Sequence, residues 1–156
     1  IFQKTEDSGG EVINLMKALA HSPKICRDFN RMGITLLLKG DLSPRLRELA
    51  ILRVGDLAGA NYEWTKHVPI ALDAGANQGQ IDDLPNWPGS TRFDDQEQAV
   101  LKYTDEVVRN IKASDETFNR VAAFLSEKEI VELTVTVGYY GMVCRVLETL
   151  EIQLEN

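Results

Sequence analysis

Basic excess, cysteine, histidine and long apolar runs are all scarce in this chain of 156 residues. Acidic side chains outnumber basic ones by 24 to 17, a net charge of −7, which argues against a nucleic-acid partner with its basic footprint. No uncharged apolar run of about twenty residues is present, so no membrane partner is expected, and the default is a soluble, cytoplasmic protein. The two cysteines, Cys26 and Cys144, stand far apart in no Cys-x-x-Cys or metal-ligand spacing, which fits buried thiols in a reducing compartment. The two histidines are His21 and His67. A Glu63–His67 pair offers too few ligands for a typical metal site and His21 has no comparable partner nearby, so no metal is expected.

What is present reads as helix. The composition, 44% hydrophobic and 26% charged, suits a single globular domain over residues 1–156. "HSPK" places Ser22 as an N-cap and Pro23 at the first helical position, and the stripe Cys26, Phe29, Gly33, Leu36, Leu37 runs towards Gly40. "LSPR" repeats the device with Ser43 and Pro44, and Leu46, Leu49, Ala50 and Val54 carry that helix to Gly59. Asn61 is the expected cap of the next helix and Gly75 its stop. "NQGQIDDL" adds a short helical turn, and "PNWPGSTRFDD" reads as a loop.

Helical stripes through Val100, Tyr103, Val107 and Ile111, then Phe118, Val121, Ala122 and Leu125, follow the loop. The final run, "ELTVTVGYYGMVC", is rich in β-branched residues that suit a strand. Its length and the Ser126-x-x-Glu129 capping box favour a helix, central to the core or to an oligomer interface. The expected fold is all-α.

Chemistry gathers on two neighbouring segments. Glu63 and His67 are four apart on one helix and project from the same face, either as an exposed ion pair or as an acid–base pair. The preceding helix carries Arg45, Arg47 and Glu48, and the short "LAGAN" connection makes the two an antiparallel hairpin over about 44–58 and 62–74. Glu48 lies beside the apolar stripe, where an unpaired charge is costly, so His67 or an arginine is its expected partner. Pro69, two residues past His67, frees a backbone carbonyl and is expected to bend the helix there.

The stretch "LSPRLRELAILRVGDLAGANYEWTKHVPIALDAGA" resembles the core of the carboxymuconolactone decarboxylase and alkylhydroperoxidase D-like superfamily. Its Arg-x-x-Glu-Leu helix precedes a Glu-x-x-x-His helix ending in Ala71-x-x-x-Gly75, and "LTVTVGYYGMVCRVLETLEI" is similar to that family's last helix. The resemblance implies an all-α fold assembling as a homo-oligomer, a trimer or hexamer. It also implies a decarboxylase-like lyase without cofactor, acting on a small carboxylated lactone. On that basis His67 would move the proton, Glu48 or Glu63 would orient it, and Arg45 or Arg47 would hold a substrate carboxylate. Tyr62, Trp64 and Tyr140 would shape the pocket, and Arg145 is a further anion-binding candidate. The family's peroxidase branch carries Cys-x-x-Cys before its histidine, but Ala60 and Glu63 occupy those places here. A thiol-dependent hydroperoxide reductase therefore lacks its dithiol. A non-catalytic ligand-binding oligomer is the other reading.

Overall fold

Pro44 fixes the backbone angle of a first helical turn, where its missing N–H has no bond to lose. The helix it opens is the axis of the molecule. The computed structural model describes residues 12–155 and is all-α, with no strand among them. The helices are α1 (Asn14–Leu19), α2 (Pro23–Leu38), α3 (Pro44–Ala58), α4 (Asn61–Asp73), α5 (Gln78–Asp83), α6 (Asp95–Asn110), α7 (Asp115–Ala122) and α8 (Glu127–Thr149).

Helix α3 packs against α4, α6 and α8, which buries every residue from Leu46 to Gly55. That burial includes charges, and each is answered. Arg53 Nε reaches Asp105 Oδ1 at 2.6 Å, and its Nη1 reaches Asp56 Oδ2 at 2.7 Å and the carbonyls of Leu84 and Pro85. This fork pins α3 to α6. Removing one partner of such a pair costs about 3–5 kcal/mol, because the other charge stays buried.

Gly59 closes α3 at φ 66°, a left-handed angle that glycine takes without a Cβ penalty. The chain then turns straight into α4. Gly55 lies against Glu63 while Glu48 lies against His67, so α3 and α4 run antiparallel, as the hairpin reading expects. A Cβ added at Gly55 would sit 3.7 Å from that of Glu63, so the two helices approach closely.

Several local expectations shift by a residue or change form. Ala60, not Asn61, is the N-cap of α4, and Asn61 is its first helical residue. Ser22 and Ser43 precede their prolines as expected, but neither hydroxyl makes a cap hydrogen bond. Part of the "PNWPGSTRFDD" loop is ordered as a 3-10 helix, Leu84–Gly89, because Trp87 turns inward and donates to Asp105 at 3.3 Å. Ile111 falls outside α6, at its C-cap, with φ 68°. Helix α4 runs as one element through the exposed Pro69.

The β-branched run of α8 is helical throughout, opened by the Ser126/Glu129 capping box. Leu133, Val137, Tyr140, Cys144 and Leu147 recur at helical spacing and are buried. Val131, Val135 and Met142 on the same helix stay exposed. By length and composition α8 could cross a membrane, but its buried stripe makes it a core helix of the bundle.

Candidate active site

The α3–α4 hairpin brings two carboxylates to opposite edges of one imidazole. His67 Nδ1 lies 2.7 Å from Glu48 Oε2, and Nε2 lies 2.9 Å from Glu63 Oε1. Arg47 Nε donates to the other oxygen of Glu48 at 3.0 Å. All four side chains are nearly sealed: Glu48 is 0% exposed, Glu63 4%, Arg47 8% and His67 9%. The row Arg47–Glu48–His67–Glu63 alternates cation and anion, which offsets part of the cost of burying these charges. The pairing expected for Glu48 is met twice, by His67 and by an arginine.

The two contacts of the ring differ. Nδ1–H points at Glu48 in a good hydrogen bond. Glu63 Oε1 pairs with Nε2 at 2.9 Å in a less well aligned contact, and this oxygen is sealed from solvent. Burial opposes a charge on His67, yet its two carboxylate partners outweigh that and raise its pKa from 6.5 to about 9. The ring is therefore an imidazolium near neutral pH, with both nitrogens protonated. At neutral pH the site thus offers a held imidazolium between two carboxylates rather than a free ring nitrogen.

Glu63 and His67 form the polar end of a cavity of about 170 Å³. Its other walls come largely from α1 and α2, including Leu15, Met16, Leu19, Phe29 and Leu37. Tyr140 stands edge-on to the His67 ring, centroids 5.0 Å apart at 84°, and Tyr139 stacks edge-on to Tyr140 at 5.3 Å. Burial pushes both phenols well above their ordinary pKa, so they stay neutral. Gly33 makes room for this pair: a Cβ there would meet the Tyr139 hydroxyl at 2.7 Å. Beside the cavity, Glu155 accepts from Tyr62 Oη at 2.6 Å and from the Asn14 amide, and it pairs with Lys66.

The structure thus brings His67, Glu48, Glu63, Tyr62 and Tyr140 together, and Arg47 behind them. It does not bring the rest. Arg45 points away from His67 and pairs with Glu97 Oε1 at 2.6 Å, bracing α3 against α6. Trp64 packs into the second apolar cluster with Leu49, Leu84 and Trp87. Arg145 is exposed and donates to the Gly141 carbonyl of its own helix. The α1 and α2 wall residues, Lys66 and Glu155 carry no motif and escape a reading of the sequence. Only the apolar spacing of Phe29, Gly33 and Leu37 hints that α2 faces inward. Both cysteines are free and buried, and burial pushes the Cys144 thiol up to about 12. Among the described residues, no group of histidine, cysteine, aspartate and glutamate is arranged to hold a metal ion.

Comparison with known proteins agrees with this architecture. Solved structures match over nearly the whole chain. A peroxidase-related protein with an alkylhydroperoxidase AhpD core from Ralstonia eutropha JMP134 is 18% identical, covers 100% of this chain and 83% of its own, and has a TM-score of 0.84. A protein of unknown function from Agrobacterium tumefaciens is 23% identical, over 89% of this chain and 96% of its own, with a TM-score of 0.82. The debrominase Bmp8, in complex with 2,3,4-tribromopyrrole, is 16% identical, over 99% of this chain and 82% of its own, with a TM-score of 0.80. No curated protein matches in sequence. The model of the carboxymuconolactone decarboxylase family matches residues 23–106, more than half of the chain and the whole of the α3–α4 hairpin. The chain belongs to the carboxymuconolactone decarboxylase family.

Proposed function

We propose that this protein is an enzyme that moves a proton on a small molecule without a bound cofactor, in the manner of a lyase or isomerase. One observation carries the reading: His67, held towards its charged form by two buried carboxylates, and Glu63 together border a cavity with mainly apolar walls. Glu63 takes a proton from the substrate while His67 Nε2–H gives one to a second atom, and Glu48 with Arg47 holds the ring in place. Low local polarity strengthens both transfers, because neither group is shielded by bulk water.

The finer reading, decarboxylation of a carboxylated lactone, needs a cation free to hold the substrate carboxylate. Arg45, Arg47 and Arg145 are each engaged elsewhere, so the geometry favours general proton transfer over that reaction. Peroxide reduction needs a reactive thiolate, and neither the buried Cys144 nor Ala60 offers one. The debrominase of similar fold holds a small ring, which suits the size of this cavity. We also propose self-association across the apolar face of α2 and α8, where Ile25, Met32, Val135 and Met142 are exposed. Light scattering on purified protein tests it, and a monomer at micromolar concentration contradicts it.

The test of the catalytic reading uses deuterium. Wild-type and His67→Ala proteins are incubated in D2O with a panel of lactones, oxo acids and cyclic enols, and exchange at carbon is followed by proton NMR. Exchange catalysed by wild type and lost in His67→Ala supports the reading. Equal exchange in both proteins, or none in either, refutes it.

A further inference from the structure

Of the four tyrosines in the chain, three have a partner for the phenol hydroxyl. Tyr62 donates to Glu155 at 2.6 Å, Tyr139 donates to the Phe29 carbonyl at 3.0 Å, and the Tyr103 hydroxyl lies 2.7 Å from that of Thr134. Tyr140 is the exception: it is 3% exposed, yet no described residue bonds its hydroxyl. A buried phenol ordinarily finds a partner, and a hydroxyl left without one costs stability that a ligand recovers on binding. Nor is this hydroxyl among the sealed polar atoms of the interior, so it keeps surface of its own. Tyr140 lines the cavity of about 170 Å³ together with Glu63 and His67, its ring centroid 5.0 Å from that of the imidazole.

We propose that Tyr140 is a substrate-binding residue whose hydroxyl donates to the oxygen of a neutral, monocyclic carbonyl compound. A hydroxyl has one proton to donate, and no described acceptor takes this one. Burial, with Glu63 and Glu48 nearby, keeps the phenol protonated, so the proton is there to give. The ligand is neutral because the charges bordering the cavity already answer one another, His67 with Glu48 and Glu63, and Lys66 with Glu155. It is a single ring because the walls are mainly apolar and the volume is close to the roughly 150 Å³ of a cavity that holds benzene. The proposal deepens the proton-transfer reading and rests on it: a carbonyl makes the C–H beside it acidic, and the Tyr140 hydrogen bond strengthens as charge builds on the oxygen.

Cyclopentanone and cyclopentane differ by the carbonyl alone, and Tyr140→Phe removes the hydroxyl alone. Both ligands are titrated into wild-type and Tyr140→Phe proteins at pH 7, with binding read from protein NMR shifts around the cavity. Cyclopentanone should bind wild type and lose about tenfold in affinity in Tyr140→Phe, the upper worth of a neutral hydrogen bond. Cyclopentane should lose nothing. Because Tyr140→Phe breaks no hydrogen bond within the described residues, its melting temperature without ligand should equal that of wild type. Equal affinity of cyclopentanone for the two proteins, a matching loss for cyclopentane, no binding of cyclopentanone to wild type, or a lower melting temperature in Tyr140→Phe would each overturn the proposal. These titrations need no turnover, so they succeed or fail separately from the deuterium-exchange test.

Discussion

His67 and Glu48 are joined by a 2.7 Å hydrogen bond from Nδ1 to Oε2, made entirely inside the protein between the two antiparallel helices. Glu48 has no exposed surface, so this bond and the Arg47 contact are all that answer its charge. The pair is at once a structural link between α3 and α4 and the device that keeps the ring protonated and aimed.

Removing the ring should therefore damage more than activity. His67→Ala leaves Glu48 and Glu63 buried without the cation between them, and urea denaturation should show a loss of about 3–5 kcal/mol. His67→Gln, which can still donate one hydrogen bond, should lose less. A loss below about 1 kcal/mol in His67→Ala would mean the carboxylates are not held as described.

Stability should fall on the alkaline side. The folded-state pKa of His67 is raised from 6.5 to about 9, so the folded protein holds this proton more tightly than the unfolded chain. The contribution is fully present below pH 6.5, declines as pH rises and is gone above about 9. Its size is on the order of 3 kcal/mol. Melting temperature measured between pH 6 and 10 should show the decline in wild type, and His67→Gln should flatten it. A profile identical in both proteins contradicts the assignment.

Arg45 separates structure from site. Its partner Glu97 is 2% exposed on the side chain and also accepts from Gln80 and the Asp94 amide. Arg45→Met should cost about 2 kcal/mol, less than a wholly stranded charge, and leave deuterium-exchange activity unchanged. A selective loss of exchange activity with unaltered stability would return Arg45 to the site.

Cys26→Ser/Cys144→Ser should keep its deuterium-exchange activity, because neither buried thiol touches the reacting pair. With the Cys144 thiol pushed up to about 12, modification by a thiol reagent at pH 7 should be slow in the folded protein and fast in denaturant. Rapid labelling of the native protein would revive thiol chemistry.

Much of this arrangement is legible in the sequence because it is local. Pro23 and Pro44 mark helix starts, Ser126 with Glu129 writes a capping box, and Glu63 with His67 is one turn of helix. The need of Glu48 for a partner also follows from its place beside an apolar stripe. What depends on distant segments does not show. The arginines of α3 look alike in sequence, yet Arg47 turns to Glu48 and Arg45 to Glu97, a choice fixed only by where α6 packs. Trp64 shares a helix with Tyr62 but enters the other apolar cluster. The cavity walls are ordinary leucines and a methionine of α1, a short helix with no motif, set by the Glu155 contacts at the far end of the chain. Ala60 replaces Asn61 as the cap because α4 begins one residue earlier against Gly55.

The most direct test is the protonation of His67 itself. Nitrogen-15 NMR of the two histidines, with His21 identified by a His21→Gln variant, reads each ring nitrogen across pH 5 to 11. The account expects both nitrogens of His67 to be protonated at pH 7.5, with a midpoint near 9 that drops in Glu48→Gln. A single protonated nitrogen at pH 7.5, with a midpoint near 6.5 unmoved by Glu48→Gln, would contradict it.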